Sequence, residues 1–224
     1  MKMRTSFGIV LLVALFVVTS GAWAGSVPVA DNDFTNPSCG TPATPPTPGP
    51  SCAPIAGSWI VVGTAGQVLY NSVQYNAPPD GSTQVGWVNS PAVMDNSADA
   101  LEQDVTTLAA NTTYVLSVDV GGRTTGTSFD PIVELYAGST LIGTATGTLP
   151  GAGTWSDYTL TVNSASLSSS LLGDEVEIYL SAGVSQSGFS DVTFNATSAV
   201  PEPAMFALVG AGLLGLVTRR RFAK

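Results

Sequence analysis

The chain has 224 residues, of which 44% are hydrophobic and 10% are charged, and this composition predicts one sizeable folded domain with a buried core. All sixteen acidic residues but only one basic residue, Arg123, lie between positions 25 and 203, so that stretch carries a net charge of −15. Nucleic acid is therefore excluded as a partner, because neutralising its phosphates requires clustered lysine and arginine.

The N-terminus has the three-part pattern of a secretory signal peptide. Lys2 and Arg4 precede an apolar run over residues 7–18, and Ala22 and Ala24 place small side chains at the two positions that signal peptidase reads. This pattern predicts that signal peptidase removes residues 1–24 and that the protein is exported. The alternative is a permanent N-terminal anchor, but the apolar run is short for that role.

A proline-rich segment follows, and it contains the only two cysteines. Seven prolines fall within residues 37–54, a density that excludes helix and central strand and predicts a surface loop, either a spacer or a recognition segment. In the oxidising compartment that export reaches, Cys39 and Cys52 predict a disulfide, which would stabilise the fold by about 3 kcal/mol. A free or metal-binding pair is the alternative, although the chain has no second cysteine pair and no histidine to complete a metal site. Residues 25–57 are therefore assigned to a first strand and a disulfide-tied loop.

From residue 58 to residue 197 the sequence alternates short apolar runs with turn signals. In "TYVLSVDVG" every second residue from Tyr114 to Val120 is apolar, while Ser117 and Asp119 share the other face, which predicts a half-buried strand. "APPDG" at 77–81 predicts a tight turn, and Gly138-Ser139 predicts a two-residue hairpin turn. About ten such strands and no convincing helix indicate an all-β fold, an antiparallel β-sandwich.

Residues 198–224 read "SAVPEPAMFALVGAGLLGLVTRRRFAK" and combine three signals. Residues 204–218 are uncharged and would form a transmembrane helix of about 22 Å, which is short for a hydrocarbon core of about 30 Å. Pro201 and Pro203 set the start of this helix. The basic residues after it form a stop that stays cytoplasmic, namely Arg219, Arg220 and Arg221. The acidic domain would then lie outside the membrane.

The four residues Val200, Pro201, Glu202 and Pro203, followed by the apolar run and the arginines, resemble the PEP-CTERM sorting signal of Gram-negative bacteria. The resemblance implies that an exosortase-type enzyme recognises this segment and cuts near Pro-Glu-Pro. Membrane attachment through the helix would then be transient, and the domain would reach the cell surface or be secreted. It also implies a partner, because such proteins usually occur in species that make extracellular polysaccharide. An ordinary tail anchor is the alternative.

Five fragments of the domain occur in the order expected for another family: "VPVADNDFTNP", "ALEQDVTTLAANTTYVLSVDVGGR", "IVELYAGSTLIG", "TWSDYTLTV" and "GFSDVTF". Over about residues 27–197 they resemble galactose-binding-like jelly rolls, the fold of many carbohydrate-binding modules. The resemblance implies a jelly-roll ectodomain and a structural calcium, for which Asp31, Asp33 and Asp191 are the candidate ligands. Thr35 and Ser190 stand where the family often has acidic residues, which leaves this calcium site short of carboxylates. No other cofactor is expected.

No set of side chains typical of an enzyme is evident. The chain has no histidine, which excludes Ser-His-Asp and Cys-His arrangements and histidine-based metal sites. Carboxylate-pair chemistry of the glycosidase kind remains as an alternative. The available acids are Glu102 with Asp104, and Asp174 with Glu175 and Glu177. Because exposed carboxylates on strands mostly solvate a face, we predict a protein without catalytic activity.

Glycan binding is the remaining candidate activity, because sugars stack on exposed aromatic rings. The candidate contacts are Trp87, Tyr70 and Tyr75, with Trp87 the strongest for an exposed ring. Trp59 precedes an apolar strand and Trp155 lies in a pattern typical of jelly-roll cores, so both are expected in the core. The leading hypothesis is a non-enzymatic surface protein that associates with extracellular polysaccharide. A dedicated lectin-like module and a secreted carboxylate-type glycosidase are the alternatives.

Overall fold

The computed structural model describes residues 24–36, 38–39, 51–52, 59–69, 74–89, 99–125 and 129–198. Within these ranges the chain forms thirteen β-strands and two short 3₁₀ turns, Ser164–Ser166 and Ser169–Leu171. Within the described residues, no helix has the length and the apolar character that crossing a membrane requires. The predicted signal peptide, except its last residue, and the predicted sorting segment after residue 198 lie outside the described residues.

The strands form two antiparallel sheets. The larger sheet contains β1 (Ala24–Val27), β2 (Ser51–Cys52), β4 (Ala65–Leu69), β5 (Gln84–Val88), β7 (Thr112–Gly122), β10 (Thr146–Gly147), β11 (Trp155–Asn163) and β13 (Ser187–Ser198). The smaller sheet contains β3 (Ile60–Val62), β6 (Ala100–Thr107), β8 (Pro131–Ala137), β9 (Thr140–Thr144) and β12 (Glu175–Ala182). The predicted all-β class and antiparallel β-sandwich are therefore confirmed.

The strand order places β7 and β13 at the centre of the larger sheet, which runs β10-β11-β7-β13-β5-β4-β2. The first part of β13 pairs with β5, and its last part pairs with β1 on the same side. In the smaller sheet the order is β3-β6-β12-β8-β9. The side chains of β7, β11, β13 and β5 are thus brought side by side, although they are distant in sequence.

The predicted alternation along β7 builds the core. Leu116, Val118 and Val120 are fully buried and pack with residues of the smaller sheet, such as Ile178 of β12. Each such side chain contributes about 1.5–3 kcal/mol relative to its exposed state. Ser117 and Asp119 must then lie on the outer face of the larger sheet, since successive side chains point to opposite faces.

Both predicted tight turns are present. The Gly81 amide donates to the Pro78 carbonyl at 3.1 Å, and Gly81 has a φ of 79°. Gly138 has a φ of 55° and connects β8 to β9, with Ala137 paired to Thr140. These left-handed conformations explain why glycine occupies both positions. The first turn also carries Asp80 towards the outer face of the larger sheet.

Three glutamines hold residues 30–36 onto the sandwich. Gln103 accepts from the Ala30 amide at 2.8 Å and donates to its carbonyl at 2.9 Å. Gln67 donates to Asp31 Oδ2 at 2.6 Å, and Gln84 donates to the Phe34 carbonyl at 2.6 Å. Residues 30–36 do not belong to a strand, so these buried amide side chains supply hydrogen bonds that a neighbouring strand would otherwise provide.

Trp59 lies in the core, as predicted. It is 2% exposed, and its ring stacks on Phe34 with 5.1 Å between centroids. The indole Nε1 donates to the Asp31 carbonyl at 3.1 Å, so the same turn is anchored by packing and by hydrogen bonds.

The predicted disulfide involves a part of the chain that the structure describes only in part. Cys52 lies in β2, whose backbone pairs with β4, and its side chain is outside the described set. The proline-rich residues 40–50 also lie outside it. The pairing of Cys39 with Cys52 therefore stays a prediction.

Candidate functional site

A pair of glycines forms a flat platform on the outer face of the larger sheet. Gly121 of β7 is paired with Gly188 of β13, and Gly188 is paired on its other side with Trp87 of β5. A Cβ atom on Gly121 would lie 2.8 Å from the Trp155 ring, and one on Gly188 would lie 2.6 Å from the Tyr75 ring. The two rings therefore rest directly on the sheet backbone.

We call Tyr75, Trp87 and Trp155 the aromatic patch; they pack with Val68 and Val85 on this face. Tyr75 has no exposed surface, whereas the two tryptophans are half-buried, so Trp155 is not the core residue that its sequence pattern predicts. The Tyr75 and Trp155 rings are tilted by 42°, with centroids 6.3 Å apart. The aromatic patch thus presents two indole rings, supported by a buried phenol, at the protein surface.

Hydrogen bonds fix the orientation of the aromatic patch. The Tyr75 hydroxyl donates to Gln186 Oε1 at 3.2 Å, and Gln186 Nε2 donates to Asn89 Oδ1 at 3.2 Å. Trp155 Nε1 donates to the Asn76 carbonyl at 3.2 Å. Burial raises the pKa of Tyr75 far above its ordinary value, although the positive charge of Arg123 opposes this. The Tyr75 phenol therefore stays neutral and acts as a hydrogen-bond donor.

We call Asp80, Asp119, Asp157 and Asp191 the acidic cluster. On β7, Asp119 lies between Asp157 of β11 and Ser190 of β13. Ser190 Oγ donates to Asp80 Oδ2 at 3.1 Å, which brings the 77–81 turn to this point. Asp191 adopts a φ of 45° within an irregularity of β13 between Ser190 and Thr193. Four distant segments of the chain thus contribute one carboxylate each.

The environment of Asp119 shifts the ionisation of its carboxyl group towards neutral pH. Burial, followed by the negative charges of Asp191, Asp157 and Asp80, raises its pKa to about 6. Asp157 is exposed and accepts a hydrogen bond from Ser117 Oγ at 2.6 Å. A carboxyl group whose pKa lies near the working pH can donate a proton and later accept one.

The acidic cluster and the aromatic patch are neighbours on one surface. Asp119 and Gly121 lie on the same face of β7, about 7 Å apart at two residues of strand rise. Asp157 and Trp155 have the same relation on β11. A ligand ring placed over the tryptophans would therefore lie within reach of the Asp119 carboxyl group.

The predicted glycan contacts have different surroundings. Trp87 belongs to the aromatic patch, and Tyr70 lies outside the described residues. Tyr75 is fully buried, so its ring offers no surface for a sugar to stack on. Glycan contact by these residues stays a prediction.

The candidate calcium ligands are largely engaged in other contacts. Asp31 accepts from Gln67 and from the Asn36 amide, and Asp33 Oδ1 accepts from the Thr35 hydroxyl at 2.8 Å. Asp191 belongs to the acidic cluster. Within the part of the chain that the structure describes, no three acidic or cysteine side chains are arranged to hold a metal ion. A structural calcium stays a prediction.

Substituting Gly188 with alanine is expected to destabilise the protein by about 1–3 kcal/mol, because the added methyl would overlap the fully buried Tyr75 ring. Thermal denaturation measures this loss. Gly25→Ala is the matched control, since a Cβ atom there meets nothing within 4 Å. Equal melting temperatures for Gly188→Ala and Gly25→Ala would show that the ring does not rest on the backbone.

Residues 26–195 match a family model described as HpiC1-like, HpiC1 cyclase. The chain belongs to the HpiC1-like cyclase family. The prediction of a protein without catalytic activity is therefore wrong. The absence of histidine excluded only histidine-dependent chemistry. The folded chain, however, places three other carboxyl groups around that of Asp119.

Solved cyclases share the fold of this HpiC1-like cyclase. The Stig cyclase Fisc from Fischerella sp. TAU, in complex with (3Z)-3-(1-methyl-2-pyrrolidinylidene)-3H-indole, is 22% identical with a TM-score of 0.63, over 79% of this chain and 100% of that chain. A cyclase from Fischerella sp. TAU in complex with 4-(1H-indol-3-yl)butan-2-one is 23% identical with a TM-score of 0.59, over 79% and 99%. At these identities the likeness establishes the β-sandwich fold.

Carbohydrate-binding modules are more distant neighbours. A CBM4 structure is 15% identical with a TM-score of 0.45, over 75% of this chain and 99% of that chain. No curated protein matches the chain.

The C-terminal segment also matches a known motif. Residues 199–221 match the PEP-CTERM protein-sorting motif. This match confirms the predicted sorting signal and implies export and processing by an exosortase-type enzyme. The match includes Val200, Pro201, Glu202, Pro203, Arg219, Arg220 and Arg221.

Proposed function

We propose that this protein is an exported cyclase that closes a ring in an unsaturated, indole-bearing substrate by proton transfer from Asp119. The observation that supports the proposal is the position of Asp119, with its pKa raised to about 6, beside the indole rings of the aromatic patch. The indole class is suggested by the ligands of the two Fischerella cyclases.

The reaction is an isomerisation and requires no second reactant. The carboxyl proton of Asp119 is transferred to one carbon of a substrate double bond, whose π electrons form the new C–H bond. A second π bond of the substrate attacks the resulting cation and forms the ring C–C bond. A neighbouring carbon then loses a proton to the carboxylate, which restores the acid.

The surroundings of Asp119 favour the cationic intermediate over the neutral substrate. The faces of Trp87 and Trp155 attract a cation through their π electrons. The carboxylates of Asp157 and Asp191 add negative charge at the point where positive charge develops. The same negative charge raises the pKa of Asp119. These carboxylates therefore favour both the protonated form of Asp119 before the transfer and the cation that forms after it.

Incubation of the purified protein with a panel of 3-alkenylindoles tests this function. The expected product has the mass of the substrate but a different chromatographic retention, and it gains one deuterium when the reaction runs in D₂O. An isomer without deuterium would exclude proton transfer from an exchangeable acid. No isomer from any member of the panel would contradict the proposed activity.

After processing near Pro-Glu-Pro the domain would lie on the cell surface or in the medium. The PEP-CTERM motif supports this location, because it implies a cut that separates the domain from the apolar segment 204–218. The cyclase would then act outside the inner membrane.

Association with extracellular polysaccharide is a second candidate function, and the outer face of the smaller sheet favours it. Tyr136 and Tyr179 are half-buried there and meet edge to face, with ring centroids 5.7 Å apart. The Tyr136 hydroxyl donates to Glu134 Oε2 at 2.9 Å, and Glu102 is paired with Tyr179. Aromatic rings beside carboxylate acceptors suit sugar hydroxyl groups, and the carboxylates restrict the sugar to neutral or cationic polymers.

Tyr179→Ala is expected to weaken binding to the purified polysaccharide of the producing cells by about tenfold, since one stacking surface is lost. Co-sedimentation at several protein concentrations measures the affinity. Asp119→Asn on the opposite sheet is the control and should bind like the unmodified protein. If Tyr179→Ala bound the polysaccharide as tightly as the unmodified protein, the outer face of the smaller sheet would be excluded as the binding surface.

A further inference from the structure

A chain of hydrogen bonds leads from the buried part of the aromatic patch to its edge. The Tyr75 hydroxyl donates to Gln186 Oε1, and Gln186 Nε2 donates to Asn89 Oδ1, both at 3.2 Å. Tyr75 is fully buried, whereas Gln186 and Asn89 are half-buried. The chain therefore begins at a group without exposed surface and ends at a side chain that solvent reaches.

The buried end fixes the direction of this chain. A buried hydroxyl proton requires an acceptor, and among the described residues Gln186 Oε1 is the acceptor for Tyr75. If both amides were turned over, Gln186 would donate to the phenol oxygen and leave the phenol proton without an acceptor. Burial raises the pKa of Tyr75 far above its ordinary value, so this proton is present at neutral pH. The Asn89 oxygen therefore faces Gln186, and its Nδ2 group faces away from Gln186.

The Nδ2 group of Asn89 is a donor that remains free at the surface. In the part of the chain that the structure describes, it donates to no other group, and it is not among the buried polar atoms that lack a partner. Its N–H groups are thus open to a molecule that arrives from solvent. The side chain is nevertheless held in one orientation, because Gln186 engages its oxygen.

Asn89 lies beside Trp87 of the aromatic patch. It directly follows β5, and its backbone amide donates to the Thr64 carbonyl at 3.0 Å, which continues the pairing of β5 with β4. Trp87 and Asn89 are two residues apart on the same face of this strand, which corresponds to about 7 Å. A ring stacked on the tryptophans therefore places a short substituent within reach of the Asn89 amide.

We propose that Asn89 determines ligand specificity by donating a hydrogen bond from Nδ2 to an uncharged carbonyl oxygen of the ligand. The proposal rests on the proposed function, because it places the indole ring of the ligand over Trp87 and Trp155. The donor is already oriented, so little side-chain entropy is lost when the ligand binds. The net charge of −15 between residues 25 and 203 disfavours a carboxylate at the same position. The substrate class is thus an unsaturated indole that carries a ketone, ester or amide carbonyl.

Two uncharged probes of similar shape test the proposal. One is 4-(1H-indol-3-yl)butan-2-one, and the other is 3-butyl-1H-indole, in which a CH₂ group replaces the carbonyl. Calorimetry on the purified protein gives the ratio of the two affinities, which we call the ketone preference. This preference should be about fivefold higher in the unmodified protein than in Asn89→Ala, the effect of one neutral hydrogen bond. Asn195→Ala is the matched control and should keep the preference, because Asn195 is exposed and lies seven residues along β13 from Gly188.

Gln186→Glu tests the direction of the chain without changing Asn89. The carboxylate still accepts from the Tyr75 hydroxyl but has no N–H group to donate, so the Asn89 amide must turn over and donate to it. The Asn89 oxygen then faces the ligand, and the ketone preference should fall as far as in Asn89→Ala. An unchanged preference in Gln186→Glu would overturn the orientation of Asn89 by this chain.

A ketone preference that is equal in the unmodified protein and in Asn89→Ala would overturn the assignment to this residue. Binding of neither probe to the unmodified protein would overturn the proposal without reference to any variant. Ring closure without a ketone preference contradicts only the role of Asn89. A ketone preference that depends on Asn89 but is not accompanied by ring closure contradicts only the proposed function.

Discussion

Asp119→Asn is expected to lower the rate of ring closure by about 10²–10⁴-fold, because the variant keeps the shape of the side chain but has no acidic proton to transfer. The chromatographic isomer assay measures the loss as kcat/KM. Substrate binding should change little, since the tryptophans of the aromatic patch stay in place. A variant that retains the full rate would exclude Asp119 as the acid.

The pH dependence of the unmodified enzyme gives an independent test of the same group. Asp119 donates only in its protonated form, so kcat/KM should fall as the pH rises through about 6. Asp157→Asn removes one of the negative charges that raise this pKa, and it should move the falling limb to lower pH. A limb that stays in place in Asp157→Asn would show that the two carboxylates do not interact.

Asp119→Asn should raise the stability of the protein although it lowers the rate of ring closure. The folded protein binds the Asp119 proton more tightly than the unfolded chain, whose pKa is near 3.8. The stability that this proton provides is complete below the unfolded pKa and is lost as the pH rises through about 6. Asp119→Asn cannot ionise, so at pH 7 it should melt at a higher temperature than the unmodified protein. A lower melting temperature would contradict the burial and repulsion assigned to Asp119.

Tyr75→Ala is expected to cost about 3–5 kcal/mol of the free energy of unfolding, in the range of other large aromatic truncations. The ring has no exposed surface, and its removal leaves a cavity between the sheet backbone and Trp155. Denaturation with urea measures the loss. Ring closure should also fall, because Trp155 loses the side chain that holds it in position.

Tyr75→Phe separates the ring from its hydroxyl group. This variant loses only the hydrogen bond to Gln186 and should cost about 1 kcal/mol. Ring closure should be close to that of the unmodified protein, since the phenol is not the proposed acid. Similar losses in Tyr75→Phe and Tyr75→Ala would show that the hydroxyl, and not the packing of the ring, maintains the aromatic patch.

The sorting motif and the cyclase fold assign separate roles to separate segments. The PEP-CTERM match occupies residues 199–221, and the cyclase match occupies residues 26–195. The first is recognised by another enzyme, while the second holds the candidate site. The error in the enzyme prediction arose because catalysis was sought in residue types, and an ordinary aspartate becomes an acid near neutral pH only in a particular environment.

Some features of this protein follow from the sequence alone. The buried face of β7, the turn ending at Gly81 and the hairpin at Gly138 depend on neighbouring residues, so their patterns are visible along the chain. The sorting signal is likewise a contiguous segment. The outward position of Asp119 was also predictable from the sequence, because Asp119 lies between the alternating apolar residues of β7.

The tertiary structure decided the surroundings of the Asp119 carboxyl group. Its pKa depends on burial and on carboxylates from positions 80, 157 and 191, which come together only through the pairing of β7 with β11 and β13. The aromatic patch likewise requires Gly121 and Gly188 to be paired across two strands. Strand order and register set these distances, and no local pattern encodes them, because long-range pairing is selected by the packing of the whole core.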